Sequence, residues 1–244
     1  MLARWLVLCA GLLLSAGVVE ASTNESAGVL RAYGPGGPHH ALKECADLFR
    51  ERHGVTVEVF KASPAELTSK LGEDGDIYFG GAEYMLDDFA RENPGVIDLS
   101  SVEKLQPRRI GIVVRKGNPL KIKGLECLQR DDIDLLVVNL EKMTQFYAPT
   151  HDGMRNLRRQ VTTGQEGVAT WRSSRELDAW VTYKSWHVFL GGESEFIEIP
   201  GDHALRFTPV ALTRRTPHRA AALQFIAFLK SPEARRIFVE HGWE

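Results

Sequence analysis

Short strand patterns alternate with helical patterns along most of the chain, and this alternation restricts the fold more than any other feature. In residues 29–91, each of three apolar strand patterns is followed by a helical pattern with one apolar face. Strands that are separated by helices favour a parallel sheet covered by helices, so the sequence predicts the α/β class. The three predicted strand and helix pairs are 29–33 with 38–53, 55–59 with 64–71, and 76–79 with 82–91.

The second half of the chain contains the same kinds of element, with a weaker alternation. Thr-Pro at 216–217 and Ser-Pro at 231–232 are start signals for the last two helical patterns. A basic stretch at 153–161 is also predicted to be helical. The remaining predicted strands are 110–115, 135–139, 177–183, 196–199 and 207–212, and the remaining predicted helices are 125–130, 220–229 and 233–240.

Two of the predicted strand-to-helix connections are rich in glycine. The first lies in the segment 33–40 (YGPGGPHH), and the second is Gly80-Gly81. The first amides of a helix have no partner inside the helix, and the helix dipole favours an anion beside them. Both connections would emerge at the carboxyl edge of the sheet, where ligands bind in such folds. We therefore predict an anion site made of backbone amides, without Lys or Arg; the alternative is that glycine serves only the backbone turns.

The sequence lacks strong motifs for other chemistry. The glycine segments have neither the Gly-Lys-Ser/Thr of a nucleotide phosphate loop nor the spacing of a dinucleotide fingerprint. His39 and His40 are adjacent, and no third ligand lies at metal spacing. Cys45 and Cys127 have apolar neighbours, which disfavours a reactive nucleophile. The basic run at 155–159 is interpreted as a solvated helix face or as the border of an anion site. We expect a binding protein without a cofactor or metal, not an enzyme.

The composition excludes several classes of protein. The 244 residues include 43% hydrophobic and 25% charged residues, and the formal net charge is −2. A disordered chain would contain fewer apolar residues and more net charge, and a nucleic-acid-binding protein would usually be basic. Three cysteines are too few for a disulfide scaffold. The values are typical of globular proteins.

Residues 1–21 have the pattern of a cleavable secretory signal. Arg4 precedes an apolar run at 6–19, which is short for a membrane span, and the segment 19–21 favours cleavage after Ala21. An uncleaved anchor is the alternative. Cys9 lies inside the apolar run, too early for a lipoprotein cleavage site.

Cleavage after Ala21 would leave 223 residues, with Cys45 and Cys127 as the remaining cysteines. A disulfide between them is possible in an oxidising compartment, but two small buried thiols are the favoured interpretation. No other stretch of the sequence is apolar enough to span a membrane.

Several segments, in this order, resemble the accessory colonization factor C family of solute-binding proteins, which are similar to periplasmic molybdate- and sulfate-binding proteins. The segment 33–39 (YGPGGPH) is the most specific of them. The resemblance extends over residues 30–244. Its segments are 33–42, 78–83, 114–119, 178–182 and 238–243.

The resemblance implies a type II periplasmic-binding-protein fold, with two lobes, a cleft and two crossover segments. The first lobe would comprise residues 22–107 and 208–244, and the second lobe residues 108–207. The chain would cross between the lobes just before or within 108–114 and again near 207–210.

The resemblance also implies a set of ligand-binding residues in the cleft. The Tyr183 hydroxyl would reach the anion, although a hinge or core role is an alternative. The chain departs from the family at 147–153, where a loop rich in Ser, Thr and Gly is usual, and at Ala82, where a small hydroxyl residue often stands. The implied residues are Gly36, Gly37, His39, Gly80, Gly81, Ala82 and Glu83 from the first lobe, and Thr150, Asp152, Gly153, Thr182 and Tyr183 from the second.

The implied function is capture of a small anion in the periplasm for transport. The anion would be a sulfate- or molybdate-like oxyanion or a small phosphorylated or carboxylated acid, and the partner a membrane component of an ABC transporter. The alternative is an extracytoplasmic sensor or colonisation factor with the same fold, acting through a membrane sensor or host surface. An enzyme acting on a phosphorylated acid is disfavoured, because no nucleophile and base pair is evident. Neither nucleic acid nor membrane insertion after signal cleavage is expected.

Overall fold

Nine strands and eight α-helices make up the part of the chain that the computed structural model describes, residues 28–147 and 156–244. The strands are β1 (Leu30–Gly34), β2 (Val57–Lys61), β3 (Ile77–Phe79), β4 (Glu103–Arg115), β5 (Leu135–Val138), β6 (Leu157–Val161), β7 (Ala179–Tyr183), β8 (Ser194–Glu198) and β9 (Leu205–Leu212). The helices are α1 (His39–His53), α2 (Pro64–Glu73), α3 (Glu83–Glu92), α4 (Thr144–Tyr147), α5 (Gly164–Ser173), α6 (Lys184–Leu190), α7 (Arg219–Leu229) and α8 (Pro232–Glu240).

All nine strands are connected in one sheet with the order β2-β1-β3-β9-β4-β7-β5-β6, and β8 pairs with β4 off this path. β1 is parallel to β2 and β3, and β5 is parallel to β6 and β7. β4 and β9 are antiparallel to all their neighbours. The predicted α/β class is confirmed, but the sheet is mixed because β4 and β9 pair antiparallel with each other and with their other neighbours.

These two antiparallel strands join two hydrophobic cores. The first core packs on both faces of the β2-β1-β3-β9 half of the sheet and takes its side chains from residues 30–105 and 210–243. The second core takes its side chains from residues 110–204. The chain therefore passes from the first core to the second within β4 and returns within β9.

Local sequence signals account for several helix ends. α1 ends at Gly54, whose φ of 70° lies in the left-handed region that favours glycine. α5 begins with a capping box, in which the Thr163 hydroxyl accepts from the Glu166 amide and the Glu166 carboxylate accepts from the Thr163 amide. The described helices are all too short or too polar to cross a lipid bilayer.

The prediction of a basic helix at 153–161 is wrong for its described part, because Leu157–Val161 forms strand β6 at the edge of the sheet. Its apolar residues, Leu157 and Val161, are four apart, which fits a helix as well as a strand, and pairing with β5 decides the outcome. The predicted helix at 125–130 is a short 3₁₀ helix, Leu125–Gln129. Helices α5 and α6 were not predicted.

The two described cysteines differ in their surroundings. Cys45 is buried in α1, and burial raises the pKa of its thiol to about 12. Cys127 is only partly buried, so the prediction of a second buried thiol is wrong. Neither thiol forms a disulfide.

Gly34 ends β1 in close contact with β3. A Cβ atom at this position would lie 2.0 Å from the Phe79 carbonyl oxygen and 2.5 Å from Phe79 Cδ2. Because a strand backbone cannot move away as a flexible side chain can, we expect Gly34→Ala to lower the free energy of unfolding by about 2–3 kcal/mol. Urea denaturation followed by tryptophan fluorescence measures this change.

Gly72 supplies the matched control. It lies in α2, and a Cβ atom there would meet nothing within 4 Å. Gly72→Ala should raise the free energy of unfolding by about 0.5–1 kcal/mol, because alanine is the better helix former. Equal effects of the two substitutions would contradict the packing role of Gly34.

Candidate functional site

A cavity of about 540 Å³ lies between the first and second cores. Four elements of the first core contribute to its wall: the turn before α1, the end of β2, α2 and α3. The second core contributes the segment 140–142, the start of α5 and the start of α6. Arg108 of β4, the strand that joins the cores, also lines the cavity.

Arg108 has only 2% of its surface exposed and is bound to both sides of the cavity. Its Nη1 donates to the Gly81 carbonyl oxygen over 2.8 Å, and its Nη2 donates to Ser185 Oγ over 2.8 Å. The guanidinium lies 3.8 Å from the centre of the Tyr183 ring and 4.8 Å from that of Trp243. These contacts fix a cation in one orientation at the place where the chain crosses between the cores.

The Arg108 guanidinium retains capacity to donate. Its Nε is buried and has no hydrogen-bond partner among the described residues. Burial lowers the pKa of Arg108, and Tyr183, Glu141 and Tyr84 oppose that shift. A buried cation with an unused N–H is a suitable partner for an anionic group, since hydrogen bonds between charged groups are the strongest kind.

Glu141 is a buried carboxyl group in the same cavity wall. Its oxygens accept from Thr182 Oγ1 and from Trp186 Nε1, each over 2.6 Å. Burial raises the pKa of Glu141 to about 7, although the hydrogen bond from Thr182 and the charge of Arg108 counteract this effect. The cavity therefore holds a carboxyl group whose ionisation falls near neutral pH.

Three tyrosines line the cavity, and two of them, Tyr84 and Tyr183, lie near Arg108. Tyr84 donates to the Leu140 carbonyl oxygen over 3.0 Å. The Tyr183 hydroxyl is buried and lies near the Tyr84 hydroxyl. It forms no hydrogen bond of acceptable geometry with any described residue. Burial raises the pKa of Tyr183 to about 12 and also raises that of Tyr78, so both hydroxyls keep their protons and can donate.

Glycines at three turns bring backbone close to the cavity. A Cβ atom at Gly37 would lie 3.2 Å from Arg108 Nη2, and a Cβ atom at Gly81 would lie 3.1 Å from Met85 Sδ. From the second core, Gly164 and Gln165 line the cavity at the start of α5, where the first helical amides have no intrahelical acceptor. A Cβ atom at Gly164 would overlap the Trp186 ring.

The structure brings only part of the predicted site to the cavity. Gly36, Gly37, Gly81 and Tyr183 line it. The residues that do not line it are His39, Gly80, Ala82, Glu83 and Thr182. Thr150, Asp152 and Gly153 lie outside the described residues. The binding role of all twelve stays a prediction.

Other contacts occupy several of the residues that do not line the cavity. The Gly80 amide donates to the Pro209 carbonyl oxygen over 2.8 Å. His39 Nε2 lies 3.2 Å from the Val59 carbonyl oxygen. Thr182, which is fully buried, donates to Glu141 rather than toward the cavity.

The sequence predicts an anion site of backbone amides that needs no Lys or Arg, and this stays a prediction, although the basic residues Arg108, Lys61 and Lys142 line the cavity. The sequence gives little indication that Arg108 is a site residue, because it stands just before the predicted apolar strand 110–115, where an arginine is ordinary. A clearer signal marked α5, because Thr163 and Glu166 have the spacing of a capping box. Within residues 28–147 and 156–244, no group of His, Cys, Asp or Glu side chains is arranged to hold a metal ion.

Besides the hydrogen bonds of Arg108, three polar contacts between residues that line the cavity link the two cores. Lys142 Nζ lies 2.5 Å from Asp88 Oδ2, and Lys61 Nζ lies 3.5 Å from Gln165 Oε1. The third is the hydrogen bond from Tyr84 to Leu140. The cavity walls are therefore in contact with each other at its rim.

Comparison with solved structures shows similar proteins. Peb3 from Campylobacter jejuni is 26% identical, with a TM-score of 0.71, and the match covers 88% of this chain and 99% of that one. Its complex with L-phospholactate gives a TM-score of 0.73 with the same coverage. The molybdate-binding protein of Azotobacter vinelandii is 14% identical, with a TM-score of 0.67 over 88% of this chain and 98% of that one.

The sulfate-binding protein SubI of Mycobacterium tuberculosis is 14% identical, with a TM-score of 0.71 over 88% of this chain and 86% of that one. No curated protein sequence matches the chain significantly. These likenesses confirm the predicted type II periplasmic-binding-protein fold. The family model for bacterial extracellular solute-binding proteins matches residues 30–244. The chain therefore belongs to the bacterial extracellular solute-binding protein family.

Proposed function

We propose that this protein captures a small anion in the cavity between its two cores and delivers it to an ABC transporter. The observation that carries the proposal is Arg108, a buried guanidinium whose Nε has no partner among the described residues. The Tyr183 hydroxyl and the amides at the start of α5 would add uncharged donors from the same cavity wall. Such preset donors bind an anion that has lost its water better than flexible surface lysines do.

A relative supports a narrower ligand class for the same cavity. Peb3, at 26% identity, has been crystallised with L-phospholactate, which carries a phosphate and a carboxylate. Arg108 and the α5 amides would bind one such group. We therefore assign a small phosphorylated or carboxylated acid to this cavity in preference to sulfate or molybdate. The segment 33–39 leads us to place the chain with the accessory colonization factor C type of the family.

The organisation of the whole chain fits this role. We infer a first lobe of residues 22–107 and 208–244 and a second lobe of residues 108–207, with the chain crossing within β4 and β9. The two hydrophobic cores support this division. We further infer a signal peptide at 1–21 and a periplasmic location, where capture for a transporter takes place.

Replacing Arg108 tests the anion site. Arg108→Lys keeps the positive charge but loses the planar set of donors and the link from Gly81 to Ser185. Because a hydrogen bond to a charged group contributes about 1.5–3 kcal/mol, the affinity for phosphate should fall about 10- to 100-fold. Isothermal titration on refolded protein, free of any co-purified ligand, measures the affinity.

Arg109→Lys is the matched control, since Arg109 is the next residue but pairs with Glu244 outside the cavity. Its anion affinity should equal that of the unchanged protein. Wild-type affinity in Arg108→Lys would show that the anion binds elsewhere.

Ionisation of Glu141 should make anion binding depend on pH. Its raised pKa of about 7 means that the neutral acid dominates below this pH and the carboxylate above it. A negative charge beside the anion repels it, so the affinity for sulfate should fall several-fold as the pH rises from about 5.5 to about 8.5. Sulfate is the probe because its own charge does not change over this range.

Glu141→Gln should remove this pH dependence and keep the higher affinity. The carboxyl group of Glu141 ionises near pH 4.5 in the unfolded chain but only near pH 7 in the folded protein. Raising the pH from 4.5 through about 7 therefore stabilises the unfolded chain relative to the folded protein. The free energy of unfolding should therefore fall over this range in the unchanged protein and less so in Glu141→Gln. If Glu141→Gln shows the same pH dependence of sulfate affinity and of unfolding free energy as the unchanged protein, then Glu141 is not the group that titrates.

A further inference from the structure

The cavity is much larger than an inorganic oxyanion requires. A tetrahedral oxyanion has four oxygen atoms, which at roughly 30 Å³ for each water-sized unit need about 120 Å³. The cavity volume is about 540 Å³. Most of the space therefore lies beyond the group that Arg108 would bind.

The additional space extends along α3. Tyr84, Met85, Phe89 and Asn93 line the cavity at successive turns of this helix and at its C-terminal cap. At 1.5 Å per residue, the distance from Tyr84 to Asn93 is about 13 Å. The cavity thus has an anion end at Arg108, next to Gly81, and a long extension that leads away from it.

The opposite wall of this extension is α2. Leu67 and Thr68 line it, and Thr68 donates to Asn93 Oδ1 over 2.7 Å at the outer end. We call the extension the α2–α3 arm, and its residues are Leu67, Thr68, Met85, Phe89 and Asn93. Leu67 and Phe89 belong to one hydrophobic cluster and expose only 5% and 7% of their surface, so they form the base of the arm, and the partly exposed Met85 offers the larger apolar surface.

The charged groups that line the cavity near the α2–α3 arm are Asp88, Glu92 and Lys142, and Lys61 lies at the end of β2. Asp88 lines the cavity and is bound by Lys142 and Arg91. Glu92 also lines the cavity and would repel an anion. An uncharged apolar chain suits this part of the cavity, because it gains from burial against Met85 and the small exposed parts of Leu67 and Phe89.

We infer that the α2–α3 arm binds the apolar tail of a ligand whose phosphate or carboxylate lies at Arg108. The substrate class is then an organic anion with one acidic head and an extended hydrocarbon tail. This inference rests on the proposed anion site, because the head group fixes the direction in which the tail points.

Alkyl phosphates of increasing length test the inference by isothermal titration. The series is inorganic phosphate, methyl phosphate, butyl phosphate and hexyl phosphate, each titrated into refolded protein. Each added methylene should raise the affinity two- to fourfold, since burying one contributes about 0.8 kcal/mol at most. The gain should stop once the tail fills the arm.

Thr68→Trp should block the arm; it removes the hydrogen bond to Asn93, but Thr68 is exposed on α2, so the fold should be retained, which circular dichroism and thermal unfolding check. This variant should bind inorganic phosphate normally and lose the dependence on tail length. Ser69→Trp is the matched control at the next exposed position, which does not line the cavity, and it should keep the dependence. Met85→Gln provides a second variant on the other wall and should weaken the dependence in the same way.

The outcomes separate the two proposals. If phosphate and hexyl phosphate bind equally well, and Arg108→Lys weakens both, the anion site stands and the tail inference is overturned. If tail length matters equally in Thr68→Trp and Ser69→Trp, the tail binds elsewhere and the inference is also overturned. If no member of the series binds, the proposed anion site fails and the inference fails with it.

Discussion

The geometry of the cavity depends on the buried Arg108 guanidinium. It donates to a carbonyl oxygen of the first core and to a hydroxyl of the second, while Tyr183 and Trp243 lie against it. Removing a guanidinium from water is costly, so such a group persists only where its hydrogen bonds and stacking compensate for the loss. Its position on β4 places this cation where the two halves of the molecule meet. The glycines at 37 and 81 then have a specific role, since side chains there would approach the guanidinium or Met85.

Much of the fold could be predicted from the sequence because its elements carry local signals. α1 has a regular apolar face and a glycine stop, and α8 has a Ser-Pro start, so their bounds were predicted to within one residue. The segment 153–161 was predicted to be a helix because two apolar residues four apart fit the period of a helix as well as that of a strand. Its described part is a strand because it pairs with β5, which is more than 15 residues away in the sequence. The mixed direction of the sheet was also beyond local signals, since it depends on where β4 and β9 pair.

The candidate site was less predictable because its main groups are brought together by tertiary structure. Gly36, Gly37 and Gly81 could be singled out, since strand, glycine and helix are neighbours in the sequence. Arg108, Glu141 and Tyr84 could not, because nothing local distinguishes them from surface residues of the same types. Their burial, and therefore their chemistry, appears only when the second core closes over the first.

In the proposed function, the presence of Glu141 near Arg108 changes how the cavity selects among anions. A cavity lined by amides alone would favour any compact oxyanion in proportion to its charge. Here a carboxyl group with a pKa of about 7 lies in the same wall, so a highly charged ligand is opposed once that group ionises. Selectivity then depends on interactions that charge does not supply, namely contact between the remainder of the ligand and the apolar α2–α3 arm. In the proposed binding mode, the arm therefore gives an organic anion an advantage over sulfate that the guanidinium by itself cannot provide.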